Sequence, residues 1–418
     1  MINRKVYVYI DLDGDLHLVG QLWARSNREK EGASFQYERN WINHRERFAL
    51  EPALELTEGT YHTEMDRNMF GAIGDSAPDR WGRVLMRRSA ARRAFSSNKQ
   101  SQTLTEIDYL LGVYDEARQG ALRFSEHIDG PFLQRSNAHP IPPLIELPKL
   151  LSAAENFLED KESEEDLRLL LAPGSSLGGA RPKASVRDRD GQLAIAKFPR
   201  KDDEYSTVLW EAVALTIAAK AGLKVPKWRL ESINTKPTII IRRFDRNFTK
   251  RIPFLSAMSM LGAKDNEQHS YLEIVDALRQ HGAAPEQDMV DLWKRIVFSI
   301  LISNTDDHLR NHGFLYERYK GWRLSPLYDV NPTPIEIKPR VLTTTIDLDN
   351  GTASLDIALS VAKEFGLTQE EAKKIAKEVG NAVVQWKEEA RRFQIGSSEI
   401  ERMASAFDHK DLVRAITY

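Results

Sequence analysis

A long apolar helix that runs directly into a polar cluster constrains this chain most. The segment PEQDMVDLWKRIVFSILIS (285–303) has the spacing of a helix packed in a core. Its apolar face carries Met289, Leu292, Ile296 and Ile300. The overlapping stretch ISNTDDHLRNHG (302–313) then holds two aspartates, two histidines and two asparagines. Three interpretations compete for this cluster: a metal site, a phosphoryl-transfer site, or a polar turn without chemistry.

The metal interpretation is the weakest of the three for this cluster. His308 and His312 are four residues apart and could share a helical face. A zinc protease motif needs a glutamate directly after the first histidine, where this chain has Leu309. A solvent-facing turn is the common reading of any group of aspartates and asparagines, because their side chains bond to nearby backbone.

Phosphoryl transfer explains the spacing within the cluster. A kinase catalytic loop has an aspartate that accepts the proton of the incoming hydroxyl, and five residues later an asparagine that binds magnesium. Asp306 and Asn311 have this spacing, whereas Asp307 does not. The next segment, GFLYERYKGWRLSPLYDV (313–330), predicts a hairpin that leads to Asp329. In kinases the second magnesium-binding aspartate occupies that place, although the tripeptide here is Tyr-Asp-Val instead of Asp-Phe-Gly.

Upstream residues supply candidates for nucleotide binding. Ile195-Ala196-Lys197 resembles the end of the kinase strand whose lysine pairs with the phosphates of ATP. Glu211, on the next predicted helix, could pair with Lys197, and an exposed lysine and a surface carboxylate remain the alternatives. The glycine-rich loop 174–183, GSSLGGARPK, could hold phosphates through its backbone N–H groups, or could be a flexible connector.

The rest of the chain indicates a strand-rich first part and a helical second part. Alternating residues before Asp13-Gly14 predict a hairpin, and residues 76–94 predict a helix capped by Ser76. Five prolines in residues 131–148 mark a connection. Near the end, two capping boxes are predicted, one formed by Thr368 with Glu371 and one by Ser398 with Glu401.

Composition limits the class of protein. The chain has 418 residues, of which 41% are hydrophobic and 29% charged, and its net charge is −2, so it carries no global field that attracts nucleic acid or membrane. It contains no cysteine, which excludes disulfides and thiolate zinc sites. No signal peptide and no apolar stretch long enough to span a bilayer is evident, so we expect a cytoplasmic protein without membrane contact.

Five motifs in this order resemble the HipA family, the serine/threonine-kinase toxins of type II toxin–antitoxin systems. The motifs are Ser-Leu-Gly-Gly-Ala-Arg-Pro-Lys (176–183), Ala-Lys-Phe-Pro (196–199), Arg-Phe-Asp-Arg (243–246), Asn-x-Asp-x-His-x-x-Asn (304–311) and Leu-Ser-Pro-Leu-Tyr-Asp-Val (324–330). Two upstream segments, 78–83 and 120–124, resemble the N-terminal subdomain of the family, so that the resemblance covers roughly the whole chain.

The resemblance implies an α+β, protein-kinase-like two-lobed fold. It has a strand-rich N-terminal lobe with an extra N-terminal subdomain, and an all-helical C-terminal lobe. The expected division is an N-terminal subdomain (1–130), a kinase N-lobe-like region with the glycine-rich loop and the ATP lysine (131–252), and a helical C-terminal lobe with the catalytic loop (253–418).

The resemblance also implies a role for each candidate residue. Asp306 would be the catalytic base, and Asn311 and Asp329 would bind Mg²⁺. Ser176, with Ser175 as a second candidate, would be the autophosphorylation site that switches the enzyme off. The residues expected to bind ATP are Lys197, Ser176, Lys183, Gly178, Gly179, Arg243, Phe244 and His308.

The family resemblance further implies partners. A HipB-like helix-turn-helix antitoxin would neutralise the toxin, and DNA would be contacted only through that antitoxin. The phosphorylated target would be a protein, such as an aminoacyl-tRNA synthetase, whose modification inhibits translation and growth. Two alternatives remain at this point: a non-catalytic pseudokinase that acts as a corepressor, and a small-molecule kinase. A minor role in DNA contact is also considered for the basic cluster Arg80, Arg83, Arg87, Arg88, Arg92 and Arg93.

Overall fold

The computed structural model describes residues 2–26, 31–100, 103–132, 141–174 and 179–418. The chain divides into two compact units. Unit 1 comprises Met1–Lys201 and Glu231–Leu255, and unit 2 comprises Asp202–Leu230 and Ser256–Tyr418. The expected three-part division of the sequence stays a prediction. No helix in the described ranges combines the length and hydrophobicity needed to cross a membrane.

Unit 1 begins with an antiparallel five-stranded sheet. Its strands are β1 (Ile2–Leu12), β2 (Asp15–Ser26), β3 (Glu31–Tyr37), β4 (Thr60–His62) and β5 (Leu122–Ser125), in the order β4-β3-β2-β1-β5. The predicted hairpin is confirmed, because Leu12 pairs with Asp15 across a two-residue turn. Asp13 and Gly14 both have positive φ, 58° and 101°, as a tight hairpin turn of this kind requires.

A second, four-stranded sheet carries the predicted ATP lysine. Its strands are β6 (Lys183–Arg187), β7 (Leu193–Lys197), β8 (Trp228–Ile233) and β9 (Lys236–Arg242), in the order β6-β7-β9-β8. Short strands β10 (Arg246–Asn247), β11 (Lys250–Arg251) and β12 (Phe254–Ser256) follow. The helices of unit 1 are α1 (Arg39–Ile42), α2 (Gly71–Gly74), α3 (Arg80–Ser96), α4 (Glu106–Gly112), α5 (Leu147–Leu158) and α6 (Glu164–Gly174).

The core of unit 1 beside the second sheet forms where α3, α5 and α6 pack against β6 and β7. Trp81, Phe157 and Phe198 are buried there, and the Trp81 and Phe157 rings meet edge to face with centroids 5.2 Å apart. Alternating residues of β6 and β7 point into this core, as period-two patterning requires. The packing therefore fixes the hairpin that carries Lys197.

Helix α3 begins later than the sequence predicts. Asp79 is its N-cap, and the Asp79 carboxylate accepts the Gly82 N–H at 2.7 Å. The expectation that Ser76 caps the helix is wrong, because the Ser76 hydroxyl donates to the Ile73 carbonyl instead. Asp79 is the stronger cap, since a carboxylate also interacts favourably with the helix dipole.

Three arginines of the basic cluster on α3, Arg83, Arg88 and Arg92, form ion pairs with acidic residues. Arg83 forms two hydrogen bonds to Glu106, one of them 2.7 Å long. Arg88 reaches both Asp160 and Glu162. These ion pairs reduce the positive field that contact with DNA phosphates would need.

Unit 2 is mainly helical. Its helices are α7 (Thr207–Lys220), α8 (Ala257–Met260), α9 (Tyr271–His281), α10 (Pro285–Ile302), α11 (Leu355–Ser360), α12 (Gln369–Val383), α13 (Trp386–Arg392), α14 (Ser397–Phe407) and α15 (Lys410–Thr417). The hairpin of β13 (Gly313–Glu317) and β14 (Gly321–Leu324) interrupts them. This hairpin is the one predicted between the polar cluster and Asp329.

Aromatic residues pack against one another in the core of unit 2. The rings of Trp386 and Phe407 stack with centroids 4.5 Å apart, and Trp210 of α7 contacts both. Most residues of α7 are buried, which explains why its sequence is apolar on every side.

One of the two predicted capping boxes forms. Thr368 and Glu371 cap α12 reciprocally. The box of Ser398 with Glu401 is wrong: α14 begins at Ser397 after Gly396, so Ser398 already lies inside the helix. Glu399, in the first turn of α14, contacts α7: its carboxylate accepts hydrogen bonds from the Ser206 N–H and the Trp210 indole N–H.

His409 predicts how the stability of unit 2 depends on pH. Its Nδ1 accepts the Leu412 N–H at 3.4 Å and its Nε2 lies 3.2 Å from the Leu301 carbonyl oxygen, so the neutral ring fits both partners. Burial, and secondarily the charge of Arg340, lower the pKa of His409 to about 4. The unfolded chain protonates this residue near its ordinary pKa of about 6.5, so stability falls as pH drops below that value.

Acidification to about pH 5 is expected to cost about 2 kcal/mol through His409 alone. The variant His409→Asn keeps an N-cap acceptor without a titrating ring, and is expected to lose that share of the pH dependence. Urea unfolding of both proteins at about pH 7.5 and pH 5 measures the difference. Equal pH dependence in the two proteins would contradict the assignment.

Candidate active site

The polar cluster follows the C-terminal end of α10, which is capped closely. Ser303 ends the helix in the left-handed conformation, with φ of 53°. The Arg340 guanidinium donates to the Ile300 carbonyl and the Ser303 hydroxyl, both at 3.0 Å, and to Asp411 at 2.9 Å. A cation on the last carbonyls suits the helix dipole and stops the helix at a defined residue. The loop that follows therefore starts from a fixed point.

Asp306 projects from this loop into solvent. Its side chain is 77% exposed, although Thr305 before it and Asp307 after it are buried. The Asn311 side-chain nitrogen donates to the Asp306 carbonyl at 3.0 Å. This bond fixes the separation of the two residues and leaves the Asn311 amide oxygen as an acceptor. The spacing recognised in the sequence thus corresponds to a direct contact.

Asp307 has a different role from its neighbour. Its carboxylate is buried, accepts hydrogen bonds from the Tyr271 and Ser299 hydroxyls, and lies 3.0 Å from His312 Nε2. Burial acts to raise the pKa of Asp307, but the charge of His312 and these hydrogen bonds outweigh burial and hold the pKa below its ordinary value. Asp307 therefore anchors the loop to the buried interior of unit 2 and is not accessible to a substrate.

The chain on either side of Asp329 is tied to the same loop. The Tyr328 hydroxyl donates to the Arg310 carbonyl at 2.7 Å. The Asn331 N–H donates to the Asn304 side-chain oxygen at 3.1 Å. Asp329 itself has a positive φ of 55°, a conformation that is uncommon for residues other than glycine and is often found at functional sites. Unit 2 thus holds Asp306, Asn311 and Asp329 on connected loops.

Two further residues lie at this loop. The nitrogen Nδ1 of the half-buried His308 is buried and has no hydrogen-bond partner among the described residues, and contact of His308 with a nucleotide stays a prediction. The Lys338 ammonium lies 3.8 Å from an Asp306 carboxylate oxygen. Lys338 was not predicted from the sequence, because a lone lysine after the hairpin matches no motif spacing.

Unit 1 holds the predicted ATP lysine and the end of the glycine-rich loop. Lys197 and Lys183 are paired across the β6–β7 hairpin. The Lys183 ammonium is nearly buried, 2.9 Å from Asp79 and 3.2 Å from the Gly179 carbonyl oxygen. Lys183 thus ties the start of α3 to the end of the loop, and its role in binding phosphate stays a prediction. Ser175, Ser176 and Gly178 lie outside the described residues.

Arg243 and Phe244, the predicted adenine-binding residues, differ in their surroundings. The Arg243 guanidinium is buried, bonds to Asp245 at 2.8 Å, and donates to the carbonyls of Ala117 and Arg118. Arg243 therefore joins two segments of unit 1. Phe244 is half-buried, with its ring centroid 6.4 Å from that of Phe254. Of this pair, Phe244 is the more accessible to a ligand.

The structure assigns the predicted site residues to both units. Lys197, Lys183, Gly179, Arg243 and Phe244 belong to unit 1, and the loop with Asp306 belongs to unit 2. Glu211, the suggested partner of Lys197, also belongs to unit 2. Its side chain is buried on α7, so the alternative reading of Glu211 as an exposed surface carboxylate is wrong.

A group of metal-ligating side chains lies apart from these motifs. His17, His44 and Glu46 place ligand atoms within 4.8 Å of one another in unit 1. The His44 Nδ1, however, accepts the Glu46 N–H at 3.2 Å, which puts the ring proton of neutral His44 on Nε2. A metal-binding histidine usually binds the metal through one ring nitrogen and donates the N–H of the other. In His44 the second nitrogen accepts instead, so this group is not preformed for a metal.

Comparison with known proteins decides the family. Residues 175–387 match the model of the HipA-like C-terminal domain, and residues 10–108 match the model of the HipA N-terminal domain. The chain belongs to the HipA family. This confirms the resemblance seen in the sequence motifs, and the N-terminal match agrees with the expected extra subdomain.

Two curated relatives of this chain bear the name kinase. The chain is 27% identical over 196 residues to the protein of Sinorhizobium fredii named Putative kinase Y4mE, a match that covers 41% of this chain and 44% of that protein. It is 26% identical over 216 residues to a protein of Haemophilus influenzae named Putative kinase, over 45% of this chain and 60% of that protein. The chain thus spans about half the length of the curated relatives it matches.

A solved structure shares the fold of this HipA protein. It is a chain from the Shewanella oneidensis MR-1 toxin–antitoxin system HipA, HipB and its operator DNA complex. The match covers 99% of this chain and 97% of that chain, with 15% identity and a TM-score of 0.66. The likeness confirms the α+β, protein-kinase-like fold expected from the sequence. One refinement is needed, because the helical unit 2 also contains the β13–β14 hairpin.

Proposed function

We propose that this HipA protein is an ATP-dependent serine/threonine protein kinase and the toxin of a toxin–antitoxin system. The observation that carries the proposal is the contrast within the loop of unit 2. Asp306 is exposed and tied to Asn311, while the adjacent Asp307 is buried as an anchor. Phosphoryl transfer needs mainly positioning and charge neutralisation, and this loop presents one carboxylate with a fixed backbone.

The donor set of this loop fits Mg²⁺ and ATP. Asn311 directs its Nδ2 to the Asp306 carbonyl, so its hard amide oxygen is available, and Asp329 supplies a carboxylate. Bound Mg²⁺ would neutralise phosphate charge. Asp306 would accept the proton of the acceptor hydroxyl, Lys197 would pair with the phosphates, and His308, Phe244 and the glycine-rich loop would contact the nucleotide.

The family supports partners for this chain. The Shewanella structure contains HipB and operator DNA. We infer that a HipB-like helix-turn-helix antitoxin binds this protein in the cytoplasm, and that DNA is contacted through the antitoxin. The acceptor is proposed to be a protein such as an aminoacyl-tRNA synthetase, whose phosphorylation would inhibit translation and growth.

Self-inactivation at Ser176 completes the proposal. A phosphate there adds nearly two negative charges to a loop meant to hold ATP phosphates, so nucleotide binding would weaken. Mass spectrometry of the protein expressed as wild type and as Asp306→Asn tests this. Phosphate on Ser176 or Ser175 is expected only in the wild type. A wild type that phosphorylates other proteins but carries no phosphate at either serine would exclude self-inactivation.

The metal-binding residues predict a loss of nucleotide affinity. Asn311→Ala or Asp329→Ala each removes one hard oxygen ligand, so the affinity for Mg²⁺-ATP is expected to fall by about tenfold or more. Calorimetric titration with ATP in the presence of Mg²⁺ measures the affinity. Asp349→Ala, an exposed carboxylate distant in sequence from the motifs, serves as the control. Wild-type affinity in both variants would assign the metal to other residues.

A further inference from the structure

Lys338 lies beside the proposed catalytic base and belongs to none of the family motifs. We propose that Lys338 is a positioning residue of the phosphotransfer site. It orients the Asp306 carboxylate and places a positive charge where the transferred phosphoryl group and the base meet. The inference rests on the proposed kinase function and assigns one more residue to the same site.

Two contacts define the position of the Lys338 side chain. Its ammonium nitrogen lies 3.8 Å from an Asp306 carboxylate oxygen and 3.4 Å from the Thr305 carbonyl oxygen. The two partners are adjacent in sequence, so the ammonium bridges the side chain of the base and the backbone before it. Asn311 holds the backbone after the base, through the Asp306 carbonyl. Asp306 is thus fixed from both sides.

The backbone that carries Lys338 is itself anchored. The N–H groups of Ile337 and Lys338 both donate to the Pro334 carbonyl, at 3.0 and 3.2 Å, and form a turn. The Ile335 N–H donates to the Ser405 hydroxyl of α14 at 3.2 Å. The lysine stem therefore begins at a fixed point, which lowers the entropy lost when its ammonium reaches Asp306.

The segment is also joined to the catalytic loop at both ends. The Thr333 N–H donates to the Ser303 carbonyl at 3.1 Å, and Thr343 donates to the Thr305 carbonyl through its N–H at 3.2 Å and its hydroxyl at 3.0 Å. Residues 333–343 and residues 303–306 thus form one hydrogen-bonded assembly. A displacement of this segment would displace the proposed base with it.

The ion pair contributes little to folding. Lys338 and Asp306 side chains are 43% and 77% exposed, and exposed pairs of this kind have small effects on stability. During transfer the same charge has a greater role, because the acceptor and the phosphoryl group displace water around it and Coulomb interactions strengthen. Lysine binds phosphate as a compact point charge, which suits a group whose charge is spread over three oxygens.

The transfer that Lys338 assists forms one bond to phosphorus and breaks another. The acceptor hydroxyl oxygen forms a bond to the γ-phosphorus, and the bond from that phosphorus to the bridging oxygen of ADP breaks. The electron pair of the broken bond leaves with ADP. The hydroxyl proton passes to the Asp306 carboxylate and from there to solvent. Lys338 gains and loses no proton, and acts only through its charge and position.

The test separates charge from structure with three variants. Lys338→Met keeps the length of the stem and removes the charge, and Lys338→Arg keeps the charge. Lys374→Met removes an exposed lysine of α12 in the same unit and serves as the matched control. Initial rates of transfer from labelled ATP, with casein as the protein acceptor, give kcat and the KM for ATP. A thermal unfolding curve is recorded for each protein.

The expected result is a loss confined to kcat. Lys338→Met should lower kcat by about 10²-fold with the KM for ATP changed less than about threefold, because the residue acts at the transferred group. Its Tm should stay within about 2 °C of the wild type. Lys338→Arg should restore most of the rate, and Lys374→Met should match the wild type.

Each contrary outcome has a defined meaning. A Lys338→Met protein with the kcat of the control overturns the assignment of Lys338 and leaves the kinase proposal standing. A parallel fall of kcat and Tm, not rescued by arginine, would show a structural role only and also overturns the assignment. A folded wild type that transfers no phosphoryl group to casein or to itself refutes the proposed function, and the role of Lys338 with it.

Discussion

Replacing Asp306 by asparagine is expected to remove phosphoryl transfer while the protein stays folded. The variant keeps the size of the side chain but cannot accept the hydroxyl proton, and general bases of this kind contribute about 10²- to 10⁴-fold to the rate. The side chain is 77% exposed, so its replacement should leave the Tm unchanged within about 2 °C. Self-labelling with labelled ATP gives the rate, and thermal unfolding gives the stability.

Asp307→Asn is the matched control for this prediction. It makes the same chemical change one residue away, in a buried carboxylate that binds Tyr271, Ser299 and His312. We expect a loss of about 1–3 kcal/mol in stability, since a buried network loses its charge, and a rate within about tenfold of the wild type. An inactive Asp307→Asn beside an active Asp306→Asn would reverse the assignment of the loop.

Replacing Asp245 by alanine is expected to destabilise unit 1 more than any other single change proposed for that unit. Its buried carboxylate is 2.8 Å from both Arg243 and Arg246, and accepts the Gly120 N–H at 2.8 Å. Burial acts to raise the pKa of Asp245, but the two guanidinium charges outweigh burial and hold the pKa well below its ordinary value. Removal leaves two buried cations without this partner, which costs about 3–5 kcal/mol.

The exposed pair of Arg39 and Glu58 provides the control in the same unit. Both side chains are more than half exposed, so Glu58→Ala removes an ion pair without burying a charge. Hydrogen exchange of unit 1 peptides at increasing urea concentration gives the unfolding midpoint of each variant. We expect a large shift of the unfolding midpoint for Asp245→Ala and none for Glu58→Ala. Similar midpoints for the two variants would mean that the buried cluster does not stabilise the unit.

Local patterns in the sequence predicted much of the fold. The Asp13-Gly14 turn, the strand that ends at Lys197, the apolar helix before the polar cluster and the hairpin after it all form. Each depends on neighbouring residues, through periodicity or turn preference. The errors concern helix starts, where two nearby residues compete for the N-cap position. Asp79 caps α3 in place of the predicted Ser76, and Gly396 caps α14 in place of the predicted Ser398.

The sequence predicted the motif residues of the site, but not the residues that hold the loop in place. The spacing of Asp306 and Asn311 is visible in sequence and corresponds to a hydrogen bond. Tyr271, Arg340 and Lys338 hold the same loop from positions 36, 37 and 32 residues away from their partners. No local sequence pattern predicts such contacts, because they depend on how α9, α10 and the segment after Asp329 pack together.

Arg243 shows a limit of motif-based assignment. Its motif suggested contact with adenine, and that role stays a prediction. Its guanidinium is buried between Asp245 and two backbone carbonyls, which the motif did not indicate. A motif identifies residues that belong together, but a buried support and a ligand contact look the same in sequence. Only the surroundings of each side chain separate the two roles.

Transfer of label from γ-labelled ATP tests the central claim most directly. The purified full chain is incubated with Mg²⁺ and labelled ATP, alone and with a protein acceptor or small-molecule acceptors, beside Asp306→Asn. The proposed function predicts label on serine or threonine of the protein itself or of the protein acceptor, and none with Asp306→Asn. Label on small acceptors alone, or no turnover by a folded protein that binds ATP, would contradict a protein kinase and indicate a small-molecule kinase or a non-catalytic corepressor, respectively.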